Sequence, residues 1–135
     1  MDDVLLPILI ADDEETDRLI WKLAFEKAGL PNPLVFVSNG QAAVNYLAGH
    51  TPPAMCLLDL KMPLLDGFDV LVWIALNKEL RKLPVFVFSS SAPDDDIQKA
   101  KHLGARDFFI KPHQLAEQVQ LIKNIHARCQ GTANG

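Results

Sequence analysis

Two hydrophobic patterns alternate along this chain. The first is a set of short, almost unbroken apolar runs: Leu5 to Ala11, Leu34-Val35-Phe36-Val37, Pro53-Ala54-Met55-Cys56-Leu57-Leu58, Pro84-Val85-Phe86-Val87-Phe88 and Asp107-Phe108-Phe109-Ile110. Runs of this length, bounded by turn residues, read as strands buried on both faces. The second is a helical stripe. Glu14 to Ala28 carries Leu19, Ile20, Leu23 and Ala24, widened by Trp21, Phe25 and Ala28, and Gly29 is a good stop. Gln41 to Ala48 places Ala43, Val44 and Leu47 on one side, and Phe68 to about Asn77 does so with Val70, Leu71 and Ile74. A further helix opens at Pro93 with Asp94, Asp95 and Asp96 in its first turn and ends near Leu103-Gly104. The last runs from Gln114 to about Arg128, with Leu115, Val119, Ile122 and Ile125 on its stripe. Lys78 to Lys82 reads as a polar connection, and residues 131–135 as a frayed tail.

Five strands thus alternate with five helices, without internal repeats. Strands apolar on both faces and joined by helices form a parallel sheet covered on each side, a three-layer α/β/α sandwich. At 135 residues, with 49% hydrophobic and 22% charged, the chain is expected to form one domain over residues 1–130 with no output domain. A net charge of -4 argues against direct binding to nucleic acid. No apolar run approaches the roughly 20 residues of a membrane span, and the acidic Met1-Asp2-Asp3 start is unlike a secretory signal. Cys56 and Cys129 have neither zinc nor disulfide spacing, so a cytoplasmic location is expected.

The chemistry lies where the strands stop. In a parallel sheet the carboxyl ends of the strands share one edge, and the ligand crevice lies outside it. The first strand ends on Asp12-Asp13, the third on Asp59, the fourth on Ser89 and the fifth on Lys111. Two unit negative charges ~4 Å apart repel by about 4 kcal/mol at an effective dielectric of 20, so three converging carboxylates call for a cation. An all-oxygen donor set with room for water suits magnesium rather than zinc or copper. With Lys111 neutralising part of the remaining charge, such a pocket accepts a phosphoryl group on one of its carboxylates. Each residue alone has an ordinary role: Asp12 and Asp13 as helix caps, Asp59 as a loop-entry acid, Ser89-Ser90-Ser91 as a helix-entry turn. Their joint placement at four strand ends is what carries the reading.

Asp12-Asp13, Leu58-Asp59-Leu60-Lys61-Met62-Pro63 with Asp66-Gly67, Ser89 and Lys111-Pro112 together resemble the response regulator receiver domain, over roughly Leu5 to Arg128. The resemblance implies a flavodoxin-like fold with strand order 2-1-3-4-5. Within the family it resembles stand-alone regulators of the chemotaxis type and, through Lys78 to Lys82 and Gly29-Leu30-Pro31-Asn32-Pro33, those associated with bacterial phytochromes. It also implies that Asp59 takes a phosphoryl group from a sensor histidine kinase or a histidine phosphotransfer protein. Mg²⁺ would be held by Asp13, Asp59 and the backbone carbonyl of Lys61, with Asp12 acting through metal-bound water. Ser89 and Lys111 would bind phosphoryl oxygens, and the Lys111-Pro112 bond would be cis. Ser89 and Phe108 form the switch, Phe108 moving between inward and outward packing, while Lys61 and Ser91 sit where the family tunes dephosphorylation. Output would pass to a downstream protein target or to a homodimer.

Three other readings compete. A phosphatase of the haloacid dehalogenase type also uses a strand-end Asp, but needs an acid two residues later, where this chain has Lys61. A flavin-binding flavodoxin needs a phosphate-cradling loop after the first strand, and Asp12-Asp13-Glu14-Glu15 would repel the anion. A degenerate receiver serving only as a binding module is at odds with a complete acidic pocket. The histidines His50, His102, His113 and His126 are scattered and read as surface residues.

Overall fold

The computed structural model describes the backbone of residues 5–134 and the side chains of residues 5–129. Five strands, β1 (Ile8–Ala11), β2 (Leu34–Val37), β3 (Met55–Asp59), β4 (Val85–Ser89) and β5 (Asp107–Ile110), form one parallel sheet in the order β2-β1-β3-β4-β5. The helices between and after them are α1 (Glu15–Ala28), α2 (Gly40–Gly49), α3 (Gly67–Ala75), α4 (Asp94–His102) and α5 (Leu115–Asn134). The expected fold class and strand order are those observed.

The period-2 geometry of a strand divides the core between the two faces. Ile8, Ile10, Met55, Leu57, Phe86 and Phe88 point to one side and pack against Trp21, Ala24 and Phe25 of α1 and Ile122 and Ile125 of α5. Leu9, Ala11, Cys56, Leu58, Val85 and Val87 point to the other and meet α2, α3 and α4. Every residue of β1, β3 and β4 is buried, which is why these segments read as unbroken apolar runs.

Three local readings change. Lys78 to Lys82 is not wholly polar in role: Lys78–Leu80 form a short 3-10 helix whose Leu80 is only 4% exposed and packs into the core. The α5 backbone stays helical to Asn134, past the Arg128 end expected; Gly131 disfavours a helix interior but does not forbid it. The Lys111-Pro112 bond is trans, there being no cis peptide among the described residues. Trans is the ordinary preference of an X–Pro link, by about 0.5–1 kcal/mol. No helix among the described residues is long and apolar enough to cross a membrane.

Candidate functional site at the carboxyl edge of the sheet

The register brings the strand-end acids side by side. Ala11 pairs with Leu58, so Asp12 and Asp59 follow as neighbours on adjacent strands. Asp12 is fully buried, Asp59 is 5% exposed and Asp13 is exposed. One carboxylate oxygen from each of the three lies within 4.8 Å of the others. From the far side of β3, Lys111 reaches in past Phe88, its Nζ 5.2 Å from the ring centre, to 3.3 Å from Asp12 Oδ2 and 3.5 Å from Asp59 Oδ2.

The loop after β3 is built to hold Asp59 still. The Lys61 N–H donates to Asp59 Oδ1 at 3.2 Å. Asp66 caps α3 by accepting from the Asp69 N–H at 2.9 Å, while Asp69 accepts from the Asp66 N–H at 3.0 Å, a reciprocal capping box. Gly67 lies so close beneath the site that a Cβ there would stand 2.9 Å from both the Asp59 carbonyl oxygen and the Leu60 Cα. A Cβ at Gly40 would collide with the Leu65 carbonyl of the same loop. Between these anchors Leu64, a non-glycine residue, adopts φ 69°, in the left-handed region. The loop is therefore pinned at both ends and strained in the middle.

Burial pushes the Asp59 carboxyl up to about 6, helped by the neighbouring charges of Asp12 and Asp13 and opposed by Lys111 and the Lys61 amide. Asp12 is also raised, chiefly by burial, although the Glu14 N–H and Lys111 act against it. Burial would lower Lys111, but its hydrogen bond to Asp17 and the charges of Asp59 and Asp12 outweigh that and hold the ammonium well above the usual lysine range. Desolvation dominates at the acids, and pairing dominates at the lysine. A divalent cation would relieve the acids directly, and a set of three carboxylate oxygens is hard-cation chemistry. The residues fit a metal of that kind.

Ser89 completes the edge. It ends β4, is 1% exposed, and its Oγ has no hydrogen-bond partner. A buried hydroxyl without a partner carries a desolvation cost that an incoming acceptor oxygen would remove. Phe108, paired in register with Val87, is 8% exposed and packs inward with the α2, α3 and α4 side of the core, while Ile110 at the end of the same strand is 58% exposed.

The family model for the response regulator receiver domain matches residues 8–123 of this chain. The chain belongs to that family. It is similar to the response regulator RPA3017 in red light signaling of R. palustris, at 32% identity and a TM-score of 0.82, covering 90% of this chain and 91% of that one. The phosphorylated cyanobacterial phytochrome response regulator RcpA superposes with a TM-score of 0.85 at 29% identity, covering 96% of each chain. Response regulator Rcp1 of Synechocystis sp. is 26% identical over 126 residues, 89% of this chain and 86% of its own; a Mn²⁺-bound form of it matches with a TM-score of 0.80. The receiver is a signalling switch of two-component systems, in which such domains interact with histidine kinases or phosphotransfer proteins.

The sequence-predicted residues Asp12, Asp13, Asp59 and Lys111 lie together, and Ser89 ends the adjacent strand on the same edge. Two further residues were not anticipated there. Asp17, in the first turn of α1, makes the shortest contact to Lys111, Oδ2 to Nζ at 2.7 Å. Trp21, one turn further along α1 and 1% exposed, donates its indole N–H to Asp12 Oδ2 at 3.3 Å and packs on Phe88 with ring centres 5.1 Å apart. The four-residue spacing puts both on one helix face, the only trace of this in the sequence. Of the histidines, His50 stacks on Tyr46 with ring centres 4.1 Å apart.

Proposed function

We propose that Asp59 is the phosphoacceptor of this receiver. The observation that carries the reading is a buried carboxylate at the end of β3, flanked by two acids and an ammonium, beside a buried serine hydroxyl that has no partner. In the transfer, an Asp59 oxygen attacks phosphorus, the P–N bond of a donor phosphohistidine breaks, and the imidazole of a sensor histidine kinase or phosphotransfer protein leaves. Asp13, Asp59 and the backbone carbonyl of Lys61 would hold Mg²⁺, with Asp12 acting through its water shell. When bound, the metal supplies positive charge that offsets the phosphoryl oxygens. Lys111 pairs with one of those oxygens, and the Ser89 hydroxyl donates to another. Asp12, held by Trp21 and the Glu14 N–H, keeps its carboxylate oriented.

Phosphorylation adds ≈ −1.5 to −2 charge at the strand edge. Ser89 then shifts toward the phosphoryl group, and Phe108 follows into the space it leaves. The face of α4, β5 and α5 changes with it, and the exposed Ile110 lies on that face. Output is contact of this face with a downstream protein or with a second copy of the chain. Water later attacks the acyl phosphate and resets the switch, with Lys61 and Ser91 at its rim. The chain works in the cytoplasm on this reading, in keeping with two unpaired cysteines.

The test is the intact mass after incubation with acetyl phosphate and Mg²⁺, for wild type and Asp59→Asn. A labile single-phosphate adduct on wild type, lost in the variant and without divalent cation, is expected. If neither an adduct nor beryllofluoride binding is seen on wild type, the assignment of Asp59 is wrong.

A further inference from the structure

The cation of the site is shared among three carboxylates, and its shortest bond is not to the phosphoacceptor. Lys111 is 15% exposed, and its ammonium has three donors for three carboxylates. Only one contact is short: 2.7 Å to Asp17, against 3.3 Å to Asp12 and 3.5 Å to Asp59. Asp17 is itself held in position. Its neighbour Arg18 donates from Nη1 to the Asp12 carbonyl at 2.8 Å, and Trp21 one turn along donates to the Asp12 carboxylate, so the start of α1 is tied to the end of β1.

We propose that Asp17 is a positioning residue that parks Lys111 away from the phosphoacceptor, favouring cation entry and opposing phosphoryl capture. The proposal rests on Asp59 being that acceptor. Two consequences follow with opposite sign. With Asp17 bonded to it, the ammonium is drawn off Asp12 Oδ2 and Asp59 Oδ2, oxygens that a divalent cation needs; without Asp17 it settles onto them and competes. Once a phosphoryl group sits on Asp59, Lys111 must give up its shortest bond to reach it, so Asp17 weakens the hold on the phosphoryl group.

The experiment is a double-mutant cycle of Asp17→Asn and Lys111→Met on the full chain. Mn²⁺ affinity is read from the electron paramagnetic resonance of the free ion. Beryllofluoride affinity at saturating Mg²⁺ is read from tryptophan emission, since Trp21 contacts Asp12. For partly exposed ion pairs an effect of roughly two- to fivefold is expected. Asp17→Asn should weaken Mn²⁺ binding and tighten beryllofluoride binding by factors of this size. A general loosening of α1 would weaken both. In the Lys111→Met background the beryllofluoride effect of Asp17→Asn should vanish, because no ammonium remains to park. A change of under twofold in beryllofluoride affinity, or an equal change with and without Lys111, overturns the positioning role. If wild type binds neither Mn²⁺ nor beryllofluoride, the phosphoacceptor assignment falls and this inference falls with it.

Discussion

Replacing Asp59 by asparagine should stabilise the metal-free protein, although it removes the residue on which the reaction depends. The carboxylate is buried, and burial with the charges of Asp12 and Asp13 lifts it from 3.8 to about 6 despite Lys111. An acid whose pKa is raised on folding binds more protons folded than unfolded between those two values. Stability therefore falls as pH rises through that window and stays low above it. At about 1.36 kcal/mol per unit the full penalty at pH 7.5 is about 3 kcal/mol. The variant also forfeits the 3.5 Å contact to Lys111, but that ammonium keeps Asp17 and Asp12. A net gain of about 1–2 kcal/mol is expected, worth roughly 3–8 °C in Tm for a domain of this size. Urea and thermal unfolding of wild type and Asp59→Asn in EDTA at pH 7.5 measure it directly, with two internal controls. At pH 4, where the wild-type carboxyl is largely protonated, the gain should shrink towards zero. With millimolar Mg²⁺ at pH 7.5 it should shrink too, because the cation stabilises wild type by mass action. A variant no more stable than wild type in EDTA at pH 7.5, or a gain undiminished at pH 4, would refute the claim that uncompensated charge at this edge costs stability.

Three other outcomes follow from the same structure. Gly67→Ala should cost about 1–3 kcal/mol in urea unfolding and slow acetyl phosphate labelling, because the new methyl would stand 2.9 Å from the Asp59 carbonyl oxygen and the Leu60 Cα. Trp21→Phe should lose about 1 kcal/mol or more through the missing indole donor and the smaller ring, and should weaken Mn²⁺ binding in a calorimetric titration as Asp12 loses a restraint. Burial raises the Asp107 carboxyl, but a 2.7 Å hydrogen bond from Arg128, the Phe108 N–H and the charges of Arg128 and Lys101 together outweigh it, so the acid lies below its ordinary value. That pair is partly exposed and contributes stability above the unfolded pKa that is lost on acidification. Arg128→Ala should therefore cost about 0.5 kcal/mol more at pH 7 than near pH 2 in paired denaturation curves.

The sheet and the acids at its edge were legible in the sequence because both depend on local patterns. A parallel strand buried on two faces has to be apolar throughout, and a chain alternating such strands with helices forms a parallel sheet covered by its crossovers. Once strand direction is fixed, whatever follows each strand lands on the same edge, so Asp12, Asp13, Asp59, Ser89 and Lys111 could be gathered by their place after a run of apolar residues. Leu80 was overlooked because a single apolar residue among Lys78, Glu79, Arg81 and Lys82 has no periodicity to announce its burial. Asp17 and Trp21 were overlooked for the opposite reason: each already had a sufficient local explanation, one as an acid in a helix's first turn and the other as part of an apolar stripe. What they touch depends on how α1 is rotated against the sheet and on a lysine ninety-four positions away in the chain. Periodicity and backbone direction are enough to specify a parallel, helix-covered sheet and the chemistry collected at its strand ends, whereas the strand order was implied by the family resemblance. Which carboxylate the lysine rests on is a matter of packing, because contacts of 2.7 and 3.5 Å at one ammonium are settled by side chains from distant elements.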